Sequence, residues 1–410
     1  MNLTHEEIRR QFPALHHTHN GEPIISLDGP AGTQQPESVI QAVINHMRNY
    51  NGSPAAPFPH VKQAKATVTE ARAKMADFLN AKQPEEVLFG ANMTTLTMGI
   101  SRALAREWEP GDEIIVTRLD HEANVSPWML AAEDSGATVR WLEFDTASGM
   151  MRLEQLDDLL SEKTKLLAIG YAANAIGSIN DVSQAIAKAK AVGAMVFVDA
   201  VHYAPHDVID VQALGCDFLV SSPYKYYAPH SGALWGKKEH LDHLRAYKLR
   251  SSPENSTKKW ETGMPGFESI AGIGAALDYI GSLAAPQQTR RQQYVAAMQA
   301  TKAYEMKVSD RFLRGAASIK GIRVYGNTDL ERLDERTPTF AVRMAGYTPA
   351  ELGAALNGRG VNLYVGHFSA LGTLEALGLL ESGGAVRLGF VHYNTLDEVD
   401  RLLTILEDLS

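Results

Sequence analysis

VFVDAVHYAPHDVIDVQALGCDFLVSSPYKYYAPHSGALWG, residues 196–236, holds two short apolar runs that end on chemically useful side chains. VFVD closes on Asp199. CDFLVSS (216–222) leads into the turn PYKYY, which carries Lys225. Neither run alternates apolar with polar residues, as expected of strands covered on both faces in a parallel sheet. Ligands of open parallel sheets sit beyond the carboxyl ends of the strands. Asp199 and Lys225 are therefore expected at one mouth. A lysine there can form a Schiff base if its amine is desolvated or lies near another cation. A carboxylate opposite it can keep a pyridine nitrogen protonated. Each residue has a plainer reading alone: a strand-end Asp is often a helix cap, and a Lys after a strand is usually solvated.

Working outward, the same rhythm continues in both directions. Strand-like runs at 85–90, 112–117, 138–144, 165–173, 194–200, 216–222 and 232–237 alternate with helical patterns such as 128–136 and 181–193. That alternation predicts an α/β fold with a largely parallel sheet and right-handed crossovers. The stretch RSSPENSTKKWETGMPG is polar and rich in breakers, and reads as a long loop. Helices follow from Ser269 to about Leu283 and from beyond Pro286 to about Ala316. GIRVYG, TPTFAVRM, VNLYVG and AVRLGFV then read as strands, with helices at PAELGAALNGRG and LDEVDRLLTILEDL.

Bulk properties exclude several classes. The 410 residues carry a formal net charge of −9 and no basic run, which argues against a nucleic-acid partner. A lone cysteine, Cys216, can build neither an internal disulfide nor a thiolate metal site. His202 and His206 are four apart, but Pro205 lies between them and no third ligand is near, so no metal is expected. The opening MNLTHEEIRRQFPAL reads as an amphipathic helix rather than a signal peptide, and no stretch is long enough to span a membrane. The expectation is a cytoplasmic protein.

The segment 196–236, with HEANVSPW (121–128), LDGPAGTQQP (27–36) and GHFSA followed by VRLGFVHYNTLDEVDRLL (366–370, 386–403), resembles the class V aminotransferase group of fold-type I pyridoxal 5′-phosphate (PLP) enzymes. Within that group it is similar to the cysteine-desulfurase-like branch, from about Ser26 to the C-terminus. The resemblance implies a seven-stranded, mostly parallel sheet and a smaller C-terminal α/β domain. It casts Lys225 as the Schiff-base lysine, Asp199 as the partner of the pyridine nitrogen and His121 as the residue stacked on the ring, placed to move a proton at the substrate as well. His202 and Asn174 would contact the phenolic oxygen. Met93 and Thr94, at a helix start in ANMTT, would cradle the phosphate, with Ser222 and Tyr224 opposite. Arg387 would pair with the substrate α-carboxylate through its fork. His367 and Ser369 are expected beside the substrate.

Two departures matter. Ser369 stands where desulfurases place a catalytic cysteine, and a hydroxyl is a poor sulfur acceptor. Met264, in TGMPGF, stands where relatives place a threonine that reaches the other subunit's phosphate.

The expected organisation is an N-terminal helix over 1–19, a PLP-binding large domain over 20–285 and a small α/β domain over 286–410. A homodimer is expected, with 49–59 and the 250–267 loop near the partner's site. The expected function is chemistry at the α-carbon of a small amino acid, as an aminotransferase or a β-eliminating lyase of the C–S type. Epimerisation, desulfuration with a non-standard acceptor, and a non-catalytic role are the alternatives.

Overall fold

The computed structural model describes residues 2–50, 52, 58–254 and 257–410. Parts of the expected partner-facing segments 49–59 and 250–267 thus lie outside the described residues. The main sheet has seven strands: β1 (Val87–Gly90), β2 (Glu113–Thr117), β3 (Thr138–Leu142), β4 (Thr164–Gly170), β5 (Met195–Asp199), β6 (Phe218–Ser221) and β7 (Gly232–Gly236). Their spatial order is β1-β7-β6-β5-β4-β2-β3, and β7 alone runs antiparallel to its neighbours.

Side chains explain why these runs are strands. Val196, Val198, Leu167, Ile169 and Leu219 enter the apolar core on one face. Phe197, Leu166, Ala168, Phe218 and Val220 enter the core on the other. Successive residues point to opposite faces, so a sheet covered on both sides demands unbroken apolar runs. The register pairs Gly170 with Asp199 and Asp199 with Val220. The carboxyl ends of the three central strands therefore finish level, and their loops open on one mouth.

A second sheet holds β8 (Ile322–Tyr325), β9 (Thr339–Met344), β10 (Tyr364–Gly366) and β11 (Ala385–Gly389), in the order β8-β9-β11-β10, all antiparallel. The helix Arg290–Ser318 opens on a capping box, Thr289 with Gln292. It packs with the helix Leu396–Asp408 and contributes Val308 and Phe312 to a third core. VNLYVG, expected as one strand, is instead two pieces. Val361–Asn362 pairs in parallel with Ile25–Ser26, whereas Tyr364–Gly366 pairs with β11. The break has a topological cause: the run serves two sheets, and so ties the segment before Asp28 to the C-terminal unit. The N-terminal helix His5–Arg10 docks through Ile8, with Phe12 and Leu15 of the following segment beside it and Arg9 paired to Glu398 at 2.9 Å. Among the described residues no helix is long and apolar enough to cross a membrane.

Candidate active site

At the level strand ends lies a cleft. Asp199, the last residue of β5, lines it. Its Oδ1 accepts the amide of Val201 at 2.8 Å. Burial drives the carboxyl above its usual range, although the Val201 amide and Lys225 pull the other way. Lys225 sits in the turn Pro223–Lys225 and is buried. Burial draws its amine below the ordinary lysine range, and Arg387 adds to this. Asp199 and Asp28 oppose it.

His121 follows β2. Its Nδ1 accepts the amide of Ala123 at 3.0 Å, so a neutral ring keeps its proton on Nε2. Burial, then Lys225 and Arg387, lower it to about 3. His202 Nε2 contacts Thr337 Oγ1 at 3.1 Å, and that hydroxyl donates to Gly177 O at 3.3 Å. The imidazole must then donate from Nε2, which leaves Nδ1 as an acceptor. Asn174 donates Nδ2 to Phe368 O at 2.8 Å. His202 Nδ1 and Asn174 Oδ1 are both buried without a partner. Buried polar atoms are seldom left so. Two orphan acceptors in one cleft leave places for a ligand's donors, and a single hydroxyl, such as the phenol of PLP, could meet one of them.

The helix Met93–Ala105 points its start at the same cleft. Asn92 caps it by accepting the Thr95 amide at 2.8 Å. The amides of Met93 and Thr94 have no acceptor among the described residues, and a helix start of this kind attracts an anion. Gly232 makes the approach possible: a Cβ there would lie 2.4 Å from the Asn92 carbonyl carbon. Ser222 and Tyr224 line the opposite wall.

All nine expected cofactor contacts thus line one cleft: Met93, Thr94, His121, Asn174, Asp199, His202, Ser222, Tyr224 and Lys225. Arg387, His367 and Ser369 do not line it. Arg387 lies on β11 behind Asn174, donating to its carbonyl at 3.2 Å. His367 is exposed, and its Nδ1 accepts the Ser369 amide at 3.0 Å. The carbonyl of Ser369 accepts the Glu122 amide at 2.7 Å. Between them Phe368 turns inward and is buried, with the Arg387 guanidinium 4.8 Å from its ring centre. Phe368 and Ser369 both have positive φ, 56° and 53°, a conformation costly for residues other than glycine.

Sequence reasoning missed two carboxylates here. Asp120 lines the cleft and accepts the Gly170 amide at 2.9 Å and Asn124 Nδ2 at 2.7 Å. Burial and then Asp199 raise it to about 7. Gly170 leaves room for it, since a Cβ would sit 2.4 Å from Asp120 Oδ1. The other is Asp28, 3.7 Å from Arg387. An acid directly before His121 and another opening the GPAG turn were the available signals. Among the described residues no cluster of ligands suits a metal.

The family model described as Aminotransferase class-V matches residues 25–402. A cysteine desulfurase of Yersinia pseudotuberculosis serotype IB (strain PB1/+) is 30% identical over 428 residues, covering 100% of this chain and 99% of the relative. That of Pectobacterium carotovorum subsp. carotovorum (strain PC1) is 31% identical over 417 residues, covering 98% and 97%. The crystal structure of the cysteine desulfurase CsdA (S-sulfonic acid) from Escherichia coli superposes with a TM-score of 0.85 at 26% identity, covering 100% of this chain and 98% of that one. The apo cysteine desulfurase of Thermococcus onnurineus NA1 matches in fold, with a TM-score of 0.87 at 24% identity, covering 98% and 97%.

Proposed function

The chain belongs to the class-V aminotransferase family and is a PLP-dependent enzyme, and from that premise we propose that it acts as an aminotransferase or a β-eliminating C–S lyase on a small amino acid. The observation that carries this reading is the buried pair Lys225 and Asp199 at one mouth, with the orphan acceptors of Asn174 and His202 beside it. Lys225 would hold the cofactor through Nζ, and Asp199 would face its ring nitrogen. His121 would cover the ring, and the Met93 and Thr94 amides would take the phosphate with Ser222 and Tyr224. PLP, when bound, supplies a conjugated ring that accepts the electron pair released at the substrate α-carbon.

Lys225 is the proton carrier of this site. Its lowered basicity keeps more of it as free amine near neutral pH, which suits a general base. His121 keeps its Nε2 proton and enters as a hydrogen-bond donor. Arg387 orients the α-carboxylate. The fate of the electron pair separates amino-group transfer, loss of a β-substituent and epimerisation.

Persulfide-forming desulfuration is disfavoured by thiol chemistry. Ser369 offers only a hydroxyl. Cys216 is fully buried, and burial, then Asp217, push its thiol up to about 12. A thiol-specific reagent is expected to find no reactive group in the native protein and one after unfolding. A fast native reaction would reopen the desulfurase reading.

The visible absorbance of the purified protein, with single amino acids added in turn, tests the proposal. A band that shifts with particular amino acids supports it, and a featureless spectrum after incubation with PLP removes it. Keto acid formed from one amino acid with no acceptor present would single out the lyase. The cofactor-free protein is expected to capture PLP at a rate that rises with pH, following the free-amine fraction of Lys225. The rate should level off below the ordinary lysine range; one still climbing through about pH 10.4 would contradict a desolvated Lys225. We also expect a homodimer; Met264, 64% exposed, lies in the loop assigned to the partner. A monomer with full activity in light scattering would remove that expectation.

A further inference from the structure

Asp28 stands beside the substrate arginine, and the chemistry above leaves it unused. It opens the turn before Gly32, its carbonyl accepting the amides of Ala31 and Gly32 at 3.0 and 3.1 Å. Its Oδ1 lies 3.7 Å from Arg387 NH2, beyond hydrogen-bond reach, and is buried without a partner. Arg387 Nε is equally unpartnered. NH1 is committed to the Asn174 carbonyl, and Phe368 and Tyr364 lie 4.8 and 5.7 Å from the guanidinium carbon. Nε and NH2 form one forked edge, the edge that a carboxylate pairs with through two bonds. On that edge Nε has no partner among the described residues, and one carboxylate already stands next to it.

The charges around the site are few. Among the described residues Lys225 is the only lysine or arginine that lines the cleft, and the proposed chemistry engages its nitrogen. His121 and His202 are held neutral by burial. Arg387 is a second cation beside the cleft within the same protomer, and Asp28 already opposes it. Asp120 and Asp199 add further acidic groups on the cleft wall. An α-carboxylate bound at the fork brings a second anion to one guanidinium. An acidic side chain would bring a third, beside an Asp28 side chain that is itself partly exposed. Repulsion of this kind is a common source of specificity.

We propose that Asp28 is a specificity-determining residue that confines the substrate to amino acids with a single carboxylate and an uncharged side chain. This rests on the reading of Arg387 as the α-carboxylate partner. The test titrates the PLP-loaded protein with L-alanine, L-serine, L-aspartate and L-glutamate, following the visible band, beside its Asp28→Asn variant. Aspartate and glutamate are expected to need at least about 10-fold higher concentrations than alanine, a difference that Asp28→Asn narrows by a similar factor. Asp28→Ser reads the same ratio if the Asn variant loses its band. Aspartate acting at the same concentration as alanine on the unmodified protein overturns the inference alone, as does a ratio that neither variant moves. A band that none of the four alters removes the reading of the site, and this inference with it.

Discussion

Replacing Lys225 by alanine is expected to abolish turnover, with a loss of about 10²–10⁴-fold from proton transfer alone. On the proposed reading the covalent hold on the cofactor would go with it, so the visible band should change in the same variant. The argument is positional. Among the described residues Lys225 is the only lysine or arginine lining the cleft, and it is buried there together with Asp199. No other side chain there can supply an amine. His121 cannot replace it as a base, because its Nδ1 is occupied by the Ala123 amide and Nε2 keeps the proton. Asp199→Asn is expected to retain the band while reducing turnover, since the ring nitrogen would lose its anionic partner. Steady-state rates with a responding amino acid, read beside the spectra, separate the two effects. A Lys225→Ala protein that turns over at even a tenth of the normal rate would remove the assignment of the proton carrier.

Arg336→Ala should give the largest loss of stability away from the chemistry, about 3–5 kcal/mol in urea unfolding. Arg336 is buried, 4% exposed, and its hydrogen bonds go to carbonyls rather than to a carboxylate. It donates to Thr339 O at 2.7 Å, to Thr337 O at 3.3 Å and to Asn327 O. The Phe340 ring centre lies 4.1 Å from its guanidinium carbon. Truncation leaves those acceptors short of a donor and opens a void against Phe340. Arg336→Met should recover only the packing, because the acceptors stay unmet. The change also reaches the cleft: Thr337, the next residue, hydrogen-bonds His202 and Gly177. Faster loss of PLP on dialysis is therefore expected beside the lower urea midpoint. An unchanged midpoint would show that these carbonyls find other donors at no cost.

The strands of the main sheet were legible because a sheet covered on both faces needs unbroken apolar runs, and those runs are local in the chain. Asp199 and Lys225 were legible because each ends or follows such a run. Met93 and Thr94 were readable as a helix start. Asp120 was harder to find. Its role depends on Gly170, 50 residues away, whose missing Cβ makes room for the carboxylate. Asp28 was passed over because its partner, Arg387, lies at the other end of the chain, brought near by the bridge between Asp28 and Gly389 at the end of β11.

By itself, then, the amino-acid sequence determined the α/β layout, the placing of a lysine and an acid at one strand-end mouth, and a single cysteine, since these follow from local apolar pattern and residue type. Only the tertiary structure decided which atoms are left unpaired, which carboxylates share the cleft, and that Phe368 rather than Ser369 or His367 turns inward. Those outcomes depend on contacts between distant segments and on burial, and burial is a property of the packed whole that no local stretch of chain encodes.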